Sequence, residues 1–308
     1  MAGGLALKRL IITLIALTLG FLSFPLAKEK VSKMKDLVRK PAVAGAFYPA
    51  DPDELLRDVK NYLDRATPQT VKGDIVAIVS PHAGYMYSGW VAAYGYKLLE
   101  GKKYKTVVVI SPSHVEYFNY SSVFPGKAYE TPLGTVPINK ELSEKIASMS
   151  NAVKLDTAGH LFQPFNRGEH ALEVQLPFLQ ATLDNFSLVA IVMGDQSREN
   201  VEALGNALGE ALKGENALIV ASTDLSHFHS DNTARSLDGV FMDLLKEFDP
   251  DKLFSAIASK KTEACGGGPV VSAMIAARKL GATECVGLHY ANSGDITCLL
   301  YTSPSPRD

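Results

Sequence analysis

Thr106-Val-Val-Val-Ile-Ser-Pro-Ser-His114 opens with β-branched residues in unbroken succession, stops at a Ser-Pro turn and then presents a histidine. A short continuous run of this kind, bounded by a turn signal, reads as a strand buried on both faces, as in parallel sheets. Similar runs lie at residues 75–80, 188–193 and 217–222. Between and around them, apolar residues recur at helical spacing over 90–99, 139–148, 171–183 and 199–212. Strands alternating with helices predict a three-layer α/β fold, in which a mostly parallel or mixed central sheet is flanked by helices.

Upstream, Asp51 caps a helix with Pro52 in its first turn and Glu54 three residues on, while Leu55, Leu56, Val59 and Leu63 recur along one face. Downstream, helices over 233–248 and 250–259 precede Cys265-Gly-Gly-Gly-Pro269, a further helix to Leu280 and a strand over 285–290 that carries His289. Residues 116–138, rich in Tyr, Ser, Gly and Pro, show no clear periodicity and are expected to form an irregular insert over a site. No internal repeat or interdomain linker is visible, so residues 41–297 read as one domain behind a charged linker over 28–40.

A composition of 46% hydrophobic and 21% charged residues supports a sizeable core and carries no tract typical of disordered or fibrous chains. The formal net charge is -2, and no Lys/Arg cluster is interleaved with aromatics, which excludes nucleic acid as a partner. Lys8-Arg9 precede an uncharged run over 10–24, then Pro25-Leu-Ala27 and the charged Lys28-Glu-Lys30, the pattern of a secretory signal. The run is also close to the shortest membrane-spanning helix. Residues 1–27 are therefore expected to be a signal peptide or an uncleaved anchor, with the domain exported to the periplasm or the exterior. Cys265, Cys285 and Cys298 are too few for a disulfide framework and leave ligand or reactive roles open. Residues 298–308 match the translation of an adaptor used in DNA library preparation and are expected to be a non-native tail.

Each buried run ends in a polar cluster: Ser80-Pro-His82, Ser111-Pro-Ser-His114, Gly194-Asp-Gln196 and Ser222-Thr-Asp224-Leu-Ser-His227. Ligands of open α/β sheets gather at these carboxyl ends. His82 and His114 each follow a strand and a Ser-Pro turn, about one βα repeat apart, so adjacent parallel strands would bring them together. A lone histidine is more often structural than a ligand, but the matched placement argues for a pair of imidazoles on one metal. A mononuclear site needs a third ligand, for which Asp224, His227, Glu173 and Cys265 are candidates.

Cys265 precedes three glycines and a helix start, where the dipole favours thiolate; the plain alternative is a small apolar residue beside a tight turn. Asp224 and His227 fit an acid/base pair beside the metal, or outer-shell partners. His170 and Glu173 open a helix, where Glu173 could orient an imidazole, bind metal directly or serve only the helix start. His160 and His229 lack a strand-end setting and read as surface residues.

Several segments together resemble the Memo family, known in bacteria as AmmeMemoRadiSam system protein B. They are Arg39-Lys-Pro-Ala-Val-Ala-Gly-Ala-Phe-Tyr-Pro49, Ser80-Pro-His-Ala-Gly-Tyr85, Ser111-Pro-Ser-His114, Glu169-His-Ala-Leu-Glu-Val-Gln-Leu-Pro-Phe178, Ser222-Thr-Asp-Leu-Ser-His227 and His289-Tyr-Ala-Asn-Ser-Gly-Asp295. The resemblance implies a fold similar to class III extradiol dioxygenases and an iron or copper site at His82, His114 and Cys265, with Asp224 and His227 beside it. The choice of Cys265 as third ligand rests on this resemblance. Many relatives carry a second histidine where this chain has Val115, some have histidine at Gln175, and the usual segment after Ser-Gly-Asp is absent.

The leading expectation is a non-haem redox enzyme holding one Fe(II) or Cu ion, with Zn as a further option, in which His227 moves protons. The alternatives are a metal-binding or protein-interaction module without turnover, and a hydrolase with Cys265 as nucleophile. A small molecule or peptide is the expected ligand, membrane contact is expected only through the N-terminal segment, and the resemblance implies AmmeMemoRadiSam system proteins as partners.

Overall fold

In the computed structural model, which describes residues 34, 36–161 and 168–297, the β-branched runs form the spine of the molecule. In chain order the elements are β1 (Val38–Arg39), α1 (Pro52–Arg65), β2 (Ala77–Ser80), α2 (Tyr85–Lys97), β3 (Thr106–Pro112), β4 (Ser121–Val123), β5 (Ala128–Thr131) and β6 (Gly134–Pro137). Then follow α3 (Lys140–Ala147), β7 (Val153–Leu155), a 3-10 turn (Glu173–Gln175) running into α4 (Leu176–Thr182), β8 (Ser187–Met193), α5 (Arg198–Ala211) and β9 (Ala217–Ser222). The last are α6 (Asp231–Lys246), α7 (Pro250–Ala258), α8 (Gly267–Lys279) and α9 (Ser293–Thr297).

The central sheet has the order β2-β9-β3-β8-β4-β7. It is parallel from β2 to β8, turns antiparallel between β8 and β4, and is parallel again from β4 to β7. A smaller sheet, β1-β5-β6, is joined to it by a bridge between Ile138 and Leu188. Successive residues of a strand point to opposite faces, and both faces of the central strands are apolar. Val107 and Val109 belong to the core on one side that includes Leu55, Tyr96 and Phe178, while Val108 and Ile110 belong to the core on the other side with Leu204, Phe241 and Val270. Each fully buried aliphatic side chain of this kind contributes about 1.5–3 kcal/mol relative to exposure, so the double-faced runs are where the fold is anchored. The result is the three-layer α/β arrangement with a mixed, mostly parallel sheet.

The Asp51 cap is present: its carboxylate accepts from Asp53 N and Glu54 N at 3.0 and 2.9 Å, and Leu55, Val59 and Leu63 face inward. Elsewhere the structure corrects the sequence reading. The strands that carry His82 and His114 are not adjacent, because β9 lies between them. Residues 116–138 are not irregular: they hold β4, β5 and β6, strands of three or four residues that are too short to show a period. Helix α2 begins at Tyr85 rather than Trp90, its first turn burying Tyr85 and Ser88, which an apolar count overlooks. The helix expected over 171–183 starts as the 3-10 turn and becomes α-helical only at Leu176.

Residues 285–290 form no strand; His289 instead stacks on Tyr94, ring centroids 4.2 Å apart, and abuts Trp90 at 4.7 Å. Among the described residues no helix is long and apolar enough to cross a membrane. The expected signal or anchor over 1–27 and the tail over 298–308 lie outside the described residues.

His160, expected at the surface, is 1% exposed. Its Nε2 donates to Ser122 O at 3.0 Å, and its Nδ1 accepts from Tyr129 Oη at 2.5 Å. Burial, opposed by the Ser122 carbonyl and helped by the Arg39 charge, lowers its pKa to about 3 from the ordinary 6.5. A histidine kept neutral in the folded state contributes stability above its unfolded pKa, and that contribution is lost as the pH falls from 6.5 through about 3. Urea denaturation midpoints should therefore decline over this window, and His160→Gln should flatten the decline; an identical slope in the variant would refute the assignment.

Candidate metal centre

The register of the parallel strands sets the height of the site. Ser80 stands opposite Ser222, and Ile110 opposite Ala221, so β2, β9 and β3 end at one level. The turns that follow turn His82 and His114 toward one another, with ring centroids 5.1 Å apart at 75°. Cys265 arrives from the other end of the chain, in the turn before α8, and its Sγ lies 3.1 Å from His82 Nε2. One donor atom from each of His82, His114 and Cys265 lies within 4.8 Å of the other two. The glycines after Cys265 make this approach possible. A Cβ at Gly266 would run into the Ser222 carbonyl oxygen, and one at Gly268 would lie 2.8 Å from Met193 Sδ.

Each imidazole has its Nδ1 engaged on the side away from the sulfur. His82 is 2% exposed, with Nδ1 2.9 Å from Ser222 Oγ. Burial, with the His114 charge adding to it, holds His82 well below the usual imidazole range. His114 places Nδ1 3.0 Å from Glu169 Oε1, and its backbone N–H donates to Glu169 Oε2 at 2.5 Å. Burial disfavours the His114 imidazolium, but the Cys265 sulfur and the Glu169 carboxylate outweigh it and push the ring up to about 11. Burial would likewise raise Glu169, yet the hydrogen bond and charge of His114 hold it at about 2.

His114, Glu169 and His170 also lie close enough to be considered as a second ligand group. Glu169 Oε1, however, already accepts from His170 N and Ala171 N at 2.9 Å each besides the His114 ring. Its carboxylate is spent on backbone and imidazole N–H groups, so it orients rather than ligates. His170 is buried and stacks against His114, ring centroids 4.7 Å apart, while Phe47 lies tilted against it at 4.5 Å.

Asp224 braces the turn that carries His82: Oδ1 accepts from His82 N at 2.7 Å and Ala83 N at 3.3 Å. Its backbone N–H points to Cys265 Sγ at 3.3 Å. Asp224 Oδ2 lies 4.0 Å from His227 Nε2, so the two groups are neighbours without a direct hydrogen bond. Gln196 holds the cysteine turn, with Nε2 donating to Cys265 O and Oε1 accepting from Gly268 N, both at 2.7 Å. Burial pushes the Cys265 thiol up, against the lowering expected from its place before a helix. Desolvation is the largest influence on this thiol.

Glu173 does not orient an imidazole and is not among the convergent donors. Its carboxylate pairs with the Arg39 guanidinium, accepts from Tyr48 Oη, and takes Ala42 N and Val43 N at 2.8 and 3.1 Å. Arg39 also donates to Glu169 O at 2.6 Å and His160 O at 3.1 Å. The Arg39–Pro49 segment thus wraps this buried carboxylate and braces the backbone of Glu169. Sequence reasoning assigned no role to Glu169, Ser222, Gln196 or Arg39. Arg39, Glu169 and Ser222 stand in segments that carry the family resemblance and Gln196 in a strand-end polar cluster, but their partners lie tens of residues away.

A mixed α/β sheet with two imidazoles and a thiol converging at its carboxyl edge is the layout of an α/β protein with a candidate His/His/Cys metal site. The family described as Memo-like protein matches residues 39–303, and the chain belongs to it. A MEMO1 family protein of Methanothermobacter thermautotrophicus is 38% identical over 270 residues, 85% of this chain and 95% of the relative. One from Aquifex aeolicus is 38% identical over 261 residues, 84% and 94% of the two chains, and one from Thermotoga neapolitana 36% over 272 residues, 85% and 95%.

Removing the charge of Glu173 leaves the Arg39 guanidinium buried without its counter-ion. Glu173→Gln is expected to lower the unfolding free energy by about 3–5 kcal/mol, read by urea denaturation; a loss below about 1 kcal/mol, the scale of an exposed pair, would contradict this role.

Proposed function

We propose that this chain is a mononuclear metalloprotein in which His82 Nε2, His114 Nε2 and Cys265 Sγ hold one Fe(II) or Cu ion, with Zn as an alternative, and that it acts as a redox enzyme on a small molecule. The observation that carries the reading is the convergence of these donors within 4.8 Å, with both Nδ1 atoms already engaged elsewhere. Metal-bound imidazoles commonly give their second nitrogen to a carboxylate or another polar group, which fixes the ring. A donor set of two imidazoles and a soft thiolate suits iron, copper or zinc, and the ion would supply redox or Lewis-acid chemistry at its open positions.

The chain's own residues would do the remaining work. Glu169 orients His114, Asp224 holds the His82 turn through Oδ1, and Gln196 holds the Cys265 turn. His227, half-buried with Asp224 Oδ2 4.0 Å from Nε2, is placed to hold or pass a proton beside the site. The apolar run over 10–24 supports an exported location, and the bacterial family name supports AmmeMemoRadiSam system proteins as partners.

The 3.1 Å contact between Cys265 Sγ and His82 Nε2 also fits a nucleophile beside its base. Burial pushes that thiol up, which works against activation. Metal content separates the readings.

The purified protein should bind about one equivalent of transition metal, and His82→Ala, His114→Ala and Cys265→Ser should each abolish binding. Unchanged metal content in all three variants would end the metal reading. Oxygen uptake with Fe(II) and a panel of catechols tests the enzyme: consumption that is lost in His227→Ala supports redox turnover, whereas no consumption leaves a binding module.

A further inference from the structure

The protons around Ser222 can be counted from groups whose hydrogen-bonding sense is fixed. Pro81 O only accepts, so the Gln175 atom 2.9 Å from it is the amide nitrogen; Tyr96 Oη meanwhile donates to Gln175 Oε1 at 2.6 Å. The other Nε2 hydrogen of Gln175 points to Ser222 Oγ at 2.8 Å. Ala171 O also only accepts and lies 2.6 Å from Ser222 Oγ, so the single hydroxyl hydrogen goes there. One lone pair of the hydroxyl oxygen remains for His82 Nδ1, at 2.9 Å. A bond at that position requires the hydrogen to sit on Nδ1, which leaves Nε2 with its lone pair facing Cys265 Sγ.

We propose that Ser222, locked by Gln175 and the Ala171 carbonyl, is a positioning residue that fixes His82 in the Nδ1-protonated tautomer and so presents the Nε2 lone pair to the cation. The inference rests on the metal-site reading and names the residue that makes one ligand competent. The two imidazoles are then held in different ways: His114 by a carboxylate, His82 by a neutral hydroxyl whose own hydrogen is committed elsewhere. Ser222 is fully buried, so water does not substitute for the hydroxyl without rearrangement. Without it His82 Nδ1 loses its acceptor, and the Nε2-protonated tautomer, which blocks coordination, becomes accessible.

The test compares the unmodified protein with Ser222→Ala and Ser111→Ala. Ser111 is an equally buried strand-end serine whose Oγ has no hydrogen-bond partner among the described residues, and it serves as the control. Nitrogen-15 NMR of the histidine rings, without added metal, reads the tautomer directly, and chelator competition with Zn(II) reads affinity. The expected result is an Nδ1-protonated His82 in the unmodified protein and in Ser111→Ala. In Ser222→Ala the tautomer should be mixed or Nε2-protonated, and Zn(II) binding about 10–100-fold weaker. An Nε2-protonated His82 in the unmodified protein overturns the proposal, as does a Ser222→Ala protein with the original tautomer or the original affinity. Should Ser222→Ala fail to fold, the spectrum of the unmodified protein decides. Failure of the unmodified protein to bind Zn(II), Fe(II) or Cu would overturn the metal reading, and the tautomer would then decide the role of Ser222 by itself.

Discussion

The placement of β9 between β2 and β3, in a register that sets Ser222 level with Ser80, is the constraint from which the site follows. A slip of one residue would turn every apolar side chain of β9 to the opposite layer, and both layers are already filled. The cores therefore lock the register, and the register locks the height at which the polar ends of three strands emerge. His82 and His114 reach each other across the end of β9, which supplies Ser222 to one ring and Asp224 to the turn that carries it. The cysteine closes the arrangement because the glycines that follow it let its turn press against the ends of β9 and β8.

Two buried carboxylates, Glu169 and Glu173, divide the electrostatic work. Each would be costly alone in such surroundings, and each is satisfied by a full set of donors. Glu169 faces the imidazoles and takes its compensation from His114 and from the backbone at His170 and Ala171. Glu173 faces away and is matched by Arg39, Tyr48 and the backbone at Ala42 and Val43. Arg39 then joins the two, since the same guanidinium that pairs with Glu173 also binds the Glu169 carbonyl. The chain's first described segment is in this way tied to the turn far along the sequence whose carboxylate orients His114.

Much of this was legible in the chain itself. The β-branched runs announced buried strands, and their polar ends announced where chemistry would gather; His82, His114, Asp224 and His227 were found by that logic. The cysteine was chosen by family resemblance, because spacing could not separate it from Glu173. The short strands between residues 121 and 137 were missed because three or four residues carry no period. His160 was misplaced because a histidine sealed between Tyr129 and Ser122 has the same sequence signature as one in water.

Local pattern by itself determined the layers, the strand ends and the candidate ligands, since hydrophobic period and turn chemistry act over a few residues. Only the tertiary structure decided the strand order, the contrary duties of Glu169 and Glu173, and the set of acceptors and donors around Ser222. Those depend on which distant groups meet in a space without water, where every hydrogen must find a partner and each partner already chosen dictates the next.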